Sequence, residues 1–295
     1  LKESSKLSWV FIILMILSTL LATTGLFQSS APVIIGAMIL APLMAPIISL
    51  SMGIARSENL LINNSIKTLI YGIVTALFFS CIYTYFMPLS IVTPEMRGRL
   101  NPNILDLMVA IFSGIAGAYA NSKSEVAKSL AGVAIAVALV PPLSVTGIGI
   151  GWGNLDIIYG SFLLFITNLV GISLAASITF VVLGYAPIHR AKKGLVYSFI
   201  VLSFITIPLV LSFGKVIKQN HILNQLNNKY YTINNKKIDI DILEVNLNSN
   251  KPILYIQTTS DQLLNKQDLN ILNSKISKQI KEPLVLNIEM KTIVK

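Results

Sequence analysis

Two apolar runs in this chain, Ala31–Ala55 and Leu130–Ile150, are each long enough to cross a bilayer, and both carry prolines near mid-run. The first holds Pro42 and Pro46 in GAMILAPLMAP; the second holds Pro141 and Pro142 in IAVALVPPLSV. Proline removes a backbone N–H and clashes with the preceding turn of a helix. Hydrocarbon offers no water to the backbone groups that such a break frees, so other protein or a wet cavity must cover them. A chain with two such runs therefore needs a polytopic bundle around them.

Composition agrees. Of 295 residues, 54% are hydrophobic and only 12% charged, with a mean hydropathy of +0.71. Ordinary globular domains carry roughly 25% charged residues. The net charge of +10 is read as Lys and Arg flanking membrane spans, and a nucleic-acid partner is not expected. The lone Cys81 excludes an intramolecular disulfide.

About 20 apolar residues cross the hydrocarbon core. Seven stretches reach or approach that length: Leu7–Phe27, Ala31–Ala55, Ile66–Met87, Ile104–Ala120, Leu130–Ile150, Ile157–Leu183 and Leu195–Phe213. With the N-terminus cytoplasmic, that side collects Lys2, Lys6, Arg56, Lys67, Lys123, Lys128, Arg190, Lys192 and Lys193. The other side receives Arg97, Arg99, Lys215 and Lys218, and this excess favours N-inside. Seven spans then put the C-terminal region outside. The expected localisation is the inner membrane of a prokaryote.

The broken runs align at an offset of 100, with Pro42/Pro142, Leu43/Leu143, Ile48/Ile148 and Gly53/Gly153 among the matches. Each is flanked by one span before and one after, which divides six spans into two sets of three (about 7–87 and 104–183). Three is odd, so the second set enters from the opposite face. Inverted repeats with interrupted helices at corresponding positions point to a substrate site near the midplane. The expected fold is an all-α membrane domain over 1–214, with an extra span at 195–213, followed by a small soluble α+β domain over 215–295.

Polar residues inside the spans are few. Asp106 follows NPN in the first turn of its span, where a carboxylate suits the helix dipole and Asn101 or Asn103 can cap. The sharper reading makes it a cation or proton group facing a cavity. Asn168 lies mid-span, suited to an interhelical hydrogen bond or to a ligand. Gln28, Ser29 and Ser30 precede the first break, and Ser144 and Thr146 follow the second. With Pro42, Pro46, Pro141 and Pro142 they complete the candidate path, and helix packing is the alternative for each. Gly114 and Gly117 give the fourth span a small-residue face that suits tight packing and permits a homo-oligomer. The glycines of GIGIGWG lack the Lys-Ser/Thr ending of a phosphate loop. No catalytic set, metal cluster or cofactor motif is apparent, so an enzyme is not expected.

In the tail, KKIDIDILEVNL and ILYIQTT alternate as strands do, a helix capped by Ser260 is expected over 261–281, and PLVLNIEMKTIV supplies a last strand. The expected order is α-β-β-α-β, starting with a helix over VIKQNHILNQLNNKYY.

The motifs SSAPVIIGAMILAPLMAPI, NPNILDLMVAIFSGIAGAYA, SLAGVAIAVALVPPLSVTGIGIG and FITNLVGI, in that order, resemble the DUF389 family of prokaryotic hydrophobic membrane proteins, named for lacking an assigned function. The resemblance spans roughly 25–185 and includes Pro42, Asp106, Pro141, Pro142 and Asn168. It implies an integral membrane protein and carries no substrate with it. Many members have a longer soluble part before the first span, so this chain is expected to be truncated. Two functions are weighed. One is a transporter or channel for a small solute or ion, passive or ion-coupled; the other is a membrane-anchored receptor or scaffold that displays the C-terminal domain.

Overall fold

The computed structural model describes residues 5–87, 89–122, 139–226, 230–234, 236–246, 253–260, 265–280 and 283–292. The chain divides into two compact units, Leu1–Val210 and Leu211–Lys295. The first contains helices α1 (Trp9–Phe27), α2 (Ala31–Leu40), α3 (Met44–Arg56), α4 (Asn59–Phe86), α5 (Pro94–Arg97), α6 (Ile104–Ser122), α7 (Val140–Trp152) and α8 (Leu155–Val182). Helix α9 (Ile188–Leu226) runs from the first unit into the second.

Helices α1, α4, α6, α8 and the Gly194–Leu223 part of α9 are long and apolar enough to cross a membrane. The α2–α3 pair, bent by 54°, makes a sixth crossing if it passes once. The first half of the expected Leu130–Ile150 span, with its share of the offset-100 matches, lies outside the described residues; α7 is the remainder.

The polarity of the helices is turned inside out relative to a water-soluble bundle. On α4 the buried face reads Ser65, Thr68, Gly72, Ala76, Ser80 and Thr84, while Ile66, Ile70, Val74, Phe78 and Ile82 face outward. On α6, Ala110, Gly114, Gly117 and Ala118 are buried, and Met108, Phe112, Ile115 and Tyr119 are exposed. Large apolar groups gain nothing by leaving lipid, whereas small and hydroxyl groups let backbones close and share hydrogen bonds. The chain is a membrane protein on this pattern.

Pro42 lies between α2 and α3, and Pro46, Pro141 and Pro142 fall in the first turns of α3 and α7. Ala41, before Pro42, is extended (ψ 123) and ends α2, as the proline ring demands of its predecessor. Pro46 then occupies the third position of α3, and Pro141 and Pro142 the second and third of α7. N–H groups in a first turn have no intrahelical partner, so proline costs little there. The Ala37 carbonyl left over at the end of α2 accepts a hydrogen bond from Ser18 Oγ at 2.7 Å.

The helix boundaries repeat at an offset of 96 rather than 100. Helix α3 (44–56) corresponds to α7 (140–152), and α4 (59–86) to α8 (155–182). This register pairs Pro46 with Pro142 and Gly53 with Gly149; apolar sequence matches readily in several registers. The turns correspond as well. Ser57 (φ 54) and Gly153 (φ 65) are left-handed, and the next N–H reaches back to Gly53 O and Gly149 O respectively, 2.9 Å in each case. A Cβ on Gly53 would meet Leu61 and Ile62, and one on Gly149 would meet Ile157 and Ile158. The same corner joins α1 to α2, with Gly25 against Val33 and Ile34, Ser29 at φ 52, and Ser30 N–H on Gly25 O.

Each short helix of one set lies on the long helix of the other. Ser80 Oγ on α4 donates to Ser144 O on α7 (2.7 Å), and Ser177 Oγ on α8 donates to Ser51 O on α3 (3.0 Å). Gly147 and Gly151 bring α7 against Ser80 and Thr84, so the glycines of GIGIGWG serve packing.

The second unit is a four-stranded sheet, β1 (Tyr230–Ile233), β2 (Lys236–Asn246), β3 (Ile253–Ser260) and β4 (Val285–Thr292), in that spatial order, with α10 (Lys266–Ile280) between β3 and β4. β1–β2 and β2–β3 are antiparallel; β3–β4 is parallel, as a helical crossover requires. The sequence reading missed β1: the expected helix ends at Leu226, and Tyr230–Tyr231 open a strand. Ser260 closes β3, and the cap of α10 is Asn265, whose Oδ1 accepts from Asp268 N–H at 2.8 Å. Leu272 and Ile276 of α10 pack with Ile238, Ile240, Leu254 and Ile256.

Two outcomes are expected. A Cβ at Gly147 would sit 2.6 Å from Ser80 Cβ, whereas one at Gly36 meets nothing within 4 Å. Gly147→Ala therefore lowers stability by about 1–3 kcal/mol, while Gly36→Ala is neutral or stabilising by up to about 1 kcal/mol; thermal unfolding in detergent reads both. In the second unit the buried Asp268 accepts from Lys236 Nζ (2.7 Å), Asn265 N–H (3.1 Å) and Asn234 Nδ2 (2.7 Å). Lys236 foremost holds its pKa down at about 2. An unfolded Asp titrates near 3.9, so this stabilisation is present above about pH 4 and is lost as pH falls towards 2. Asp268→Asn is expected to destabilise the sheet at pH 7, with the gap closing at the acid end of a pH series followed by circular dichroism.

Candidate functional site

A cavity of about 250 Å³ opens where four elements of the first unit meet. Gly98 and Arg99 come from the turn after α5, Asp106 and Val109 from α6, Pro142 from α7, and Leu164 and Asn168 from α8. Each element is held by a local feature. Thr93 caps α5 and ties it to the α1–α2 corner through its Oγ1 on Leu26 O (2.7 Å). The chain then lies against α8 at Gly160, where the Leu100 carbonyl occupies the space that a Cβ would need. Gly114 faces the Ile172 carbonyl, and Gly171 faces Ala110 and Leu107, so α6 and α8 pack backbone to backbone. This close crossing carries Asp106 and Asn168 to the same cavity.

Asp106 is the third residue of α6 and closes a capping box. Asn103 N–H donates to Asp106 Oδ2 (2.8 Å), and Leu105 N–H donates to Asn103 Oδ1 (2.8 Å). The reciprocal arrangement satisfies amides that a helix start leaves over. Oδ1 of Asp106 makes no hydrogen bond among the described residues. Arg99 brings a positive charge to the same wall, but its Nη1 bonds both the carbonyl and Oε2 (3.0 Å) of Glu95. The cavity wall thus carries Arg99, itself paired with Glu95 of α5, and the Asp106 carboxylate, with the 4%-exposed Asn168 amide beside them.

Three of the sequence candidates, Asp106, Pro142 and Asn168, line this cavity together. Pro141 is the neighbouring residue of the same helix start, and Ser144 is buried one turn further on with its carbonyl taken by Ser80. The others lie elsewhere. Gln28, Ser29 and Ser30 form the α1–α2 corner, and Pro42 and Pro46 belong to the α2–α3 break. Thr146 Oγ1 pairs with Ser161 Oγ at 2.8 Å. Arg99 and Gly98 were missed as site residues because a loop arginine beside a span reads as an orientation signal. Only the close packing of Leu100 on Gly160 reveals that they reach the cavity.

Residues 38–174 match the family described as a domain of unknown function (DUF389), and that stretch contains every cavity residue. An uncharacterised protein of Methanocaldococcus jannaschii is 33% identical over 191 residues, which is 65% of this chain and 59% of that protein. The chain thus spans about three fifths of the relative's length.

The capping box sets an expectation for Asp106 that is independent of any ligand. Asp106→Ala removes the bond to Asn103 N–H and lowers stability by about 1 kcal/mol, the scale of a lost helix cap. Asp106→Asn keeps an acceptor there and restores most of it; thermal unfolding of the two variants side by side reads the difference.

Proposed function

We propose that this DUF389-domain membrane protein is a transporter or channel for a small solute or ion, passive or ion-coupled, with its path between two inverted halves. The observation that carries the reading is the cavity at the start of α7, where Pro142 meets a carboxylate and an amide carried by two helices long and apolar enough to cross a membrane. Polar groups in that setting are costly and commonly mark pathways. The 96-residue correspondence of α3–α4 with α7–α8 supports the inverted relation. If α2–α3 crosses once, the first half makes three crossings, and the second starts from the opposite face. We place the N-terminus in the cytoplasm of a prokaryotic cell from the basic residues of the short loops.

The test is flux in proteoliposomes containing the full chain, wild type beside Asp106→Asn, for a panel of ions and small metabolites. The expected outcome is flux that Asp106→Asn lowers at least tenfold, equivalent to about 1.4 kcal/mol in the rate-limiting barrier. Absence of flux across the panel would overturn the reading in favour of a membrane-anchored receptor or scaffold.

A further inference from the structure

The cavity has a counterpart in the first half, and that counterpart is filled. The 96-residue register pairs Pro142, Leu164 and Asn168 with Pro46, Thr68 and Gly72. Where Asn168 borders open space, Gly72 is covered: a Cβ there would lie 3.0 Å from Leu43 Cδ2 and 3.1 Å from Phe11 Cζ. Helices α1 and α6, each of 19 residues, correspond at an offset of 95, which pairs Phe11 with Asp106, and Phe11 is 7% exposed. Thr68 donates to Ser5 O at 2.8 Å. A carboxylate and an amide on one side thus correspond to a phenyl ring and a bare glycine on the other.

The open side has a definite electrostatic preference. A helix start normally attracts anions through its free amides. At α7, Pro141 and Pro142 have no N–H, and Leu143 N–H is directed to Leu139 O (3.5 Å). The usual anion cradle is dismantled. Arg99 is neutralised by Glu95, a residue of α5 outside the lining, so the charge left to the site is that of Asp106, whose Oδ2 is engaged by Asn103 N–H. One carboxylate with neutral oxygens suits a singly charged ion; divalent cations demand more charge or retain their water.

We propose that the cavity binds one small monovalent cation per chain, through Asp106 and Asn168, and that Phe11 and Leu43 close the equivalent position in the first half. This deepens the transport reading and rests on it. The test uses the full chain in proteoliposomes after Cys81→Ser, with single cysteines at Val109 or Leu164 on the open side and at Thr68 on the closed side. Reaction with N-ethylmaleimide requires the thiolate and so reports water.

Val109→Cys and Leu164→Cys are expected to react. Sodium or potassium chloride, at roughly ten times its Kd, slows them about tenfold relative to choline chloride, because only the empty fraction reacts. Exchanging chloride for gluconate changes nothing, and Asp106→Asn abolishes the protection. Thr68→Cys stays inert until Phe11→Ala or Leu43→Ala is added, two independent openings should one fail to fold. Labelling that follows the anion, or that no cation slows, overturns the cation site while the wet path stands. No labelling at either open-side cysteine overturns the path as well. Reactive Thr68→Cys in the otherwise unaltered background overturns the one-sided closure.

Discussion

The bundle depends on bringing helix backbones close together in an apolar solvent. It does so by exchange, since the short helices α3 and α7 each rest on the long helix of the other half. The Ser80 bond to the Ser144 carbonyl and the Ser177 bond to the Ser51 carbonyl each tie a long helix to the short helix of the other half. Hydroxyl-to-carbonyl bonds of this kind hold only if the backbones come close. That is why the facing positions are Gly147 and Gly151 on one side, and Ser51 and Ala55 on the other. Burying small residues and exposing Ile, Phe and Tyr to lipid is the same requirement seen from outside.

Once the halves are seated this way, local differences decide what each can do. The first half closes over Gly72 with Phe11; the second leaves space beside Asn168 and supplies Asp106. Asp106 both caps α6, through Oδ2, and lines the cavity. A helix-start role and a place on the cavity wall are therefore compatible in one residue.

The family relation fits this picture without adding chemistry to it. The matched stretch, residues 38–174, covers both proline breaks, Asp106 and Asn168. It stops short of α9 and of the C-terminal sheet, which is built on its own core and its own buried ion pair.

Membrane character, most of the spans, the bend at Pro42 and the strands of the tail other than β1 could be read from the residues alone. These follow from hydropathy, residue period and proline chemistry, all readable within one segment. Asp106, Pro142 and Asn168 were legible as polar or rigid residues in apolar runs, but not as neighbours. That Arg99 joins them, that Gln28–Ser30 form a corner instead, and that the helices correspond at 96 emerge from packing between segments. The α1–α2, α3–α4 and α7–α8 corners rest on a glycine four residues before a left-handed residue, a spacing that carries meaning only when the next helix is seen packing on it. A cavity is likewise a property of what fails to fill a space, so Gly72 and Asn168 differ in kind only once the two halves are compared in register.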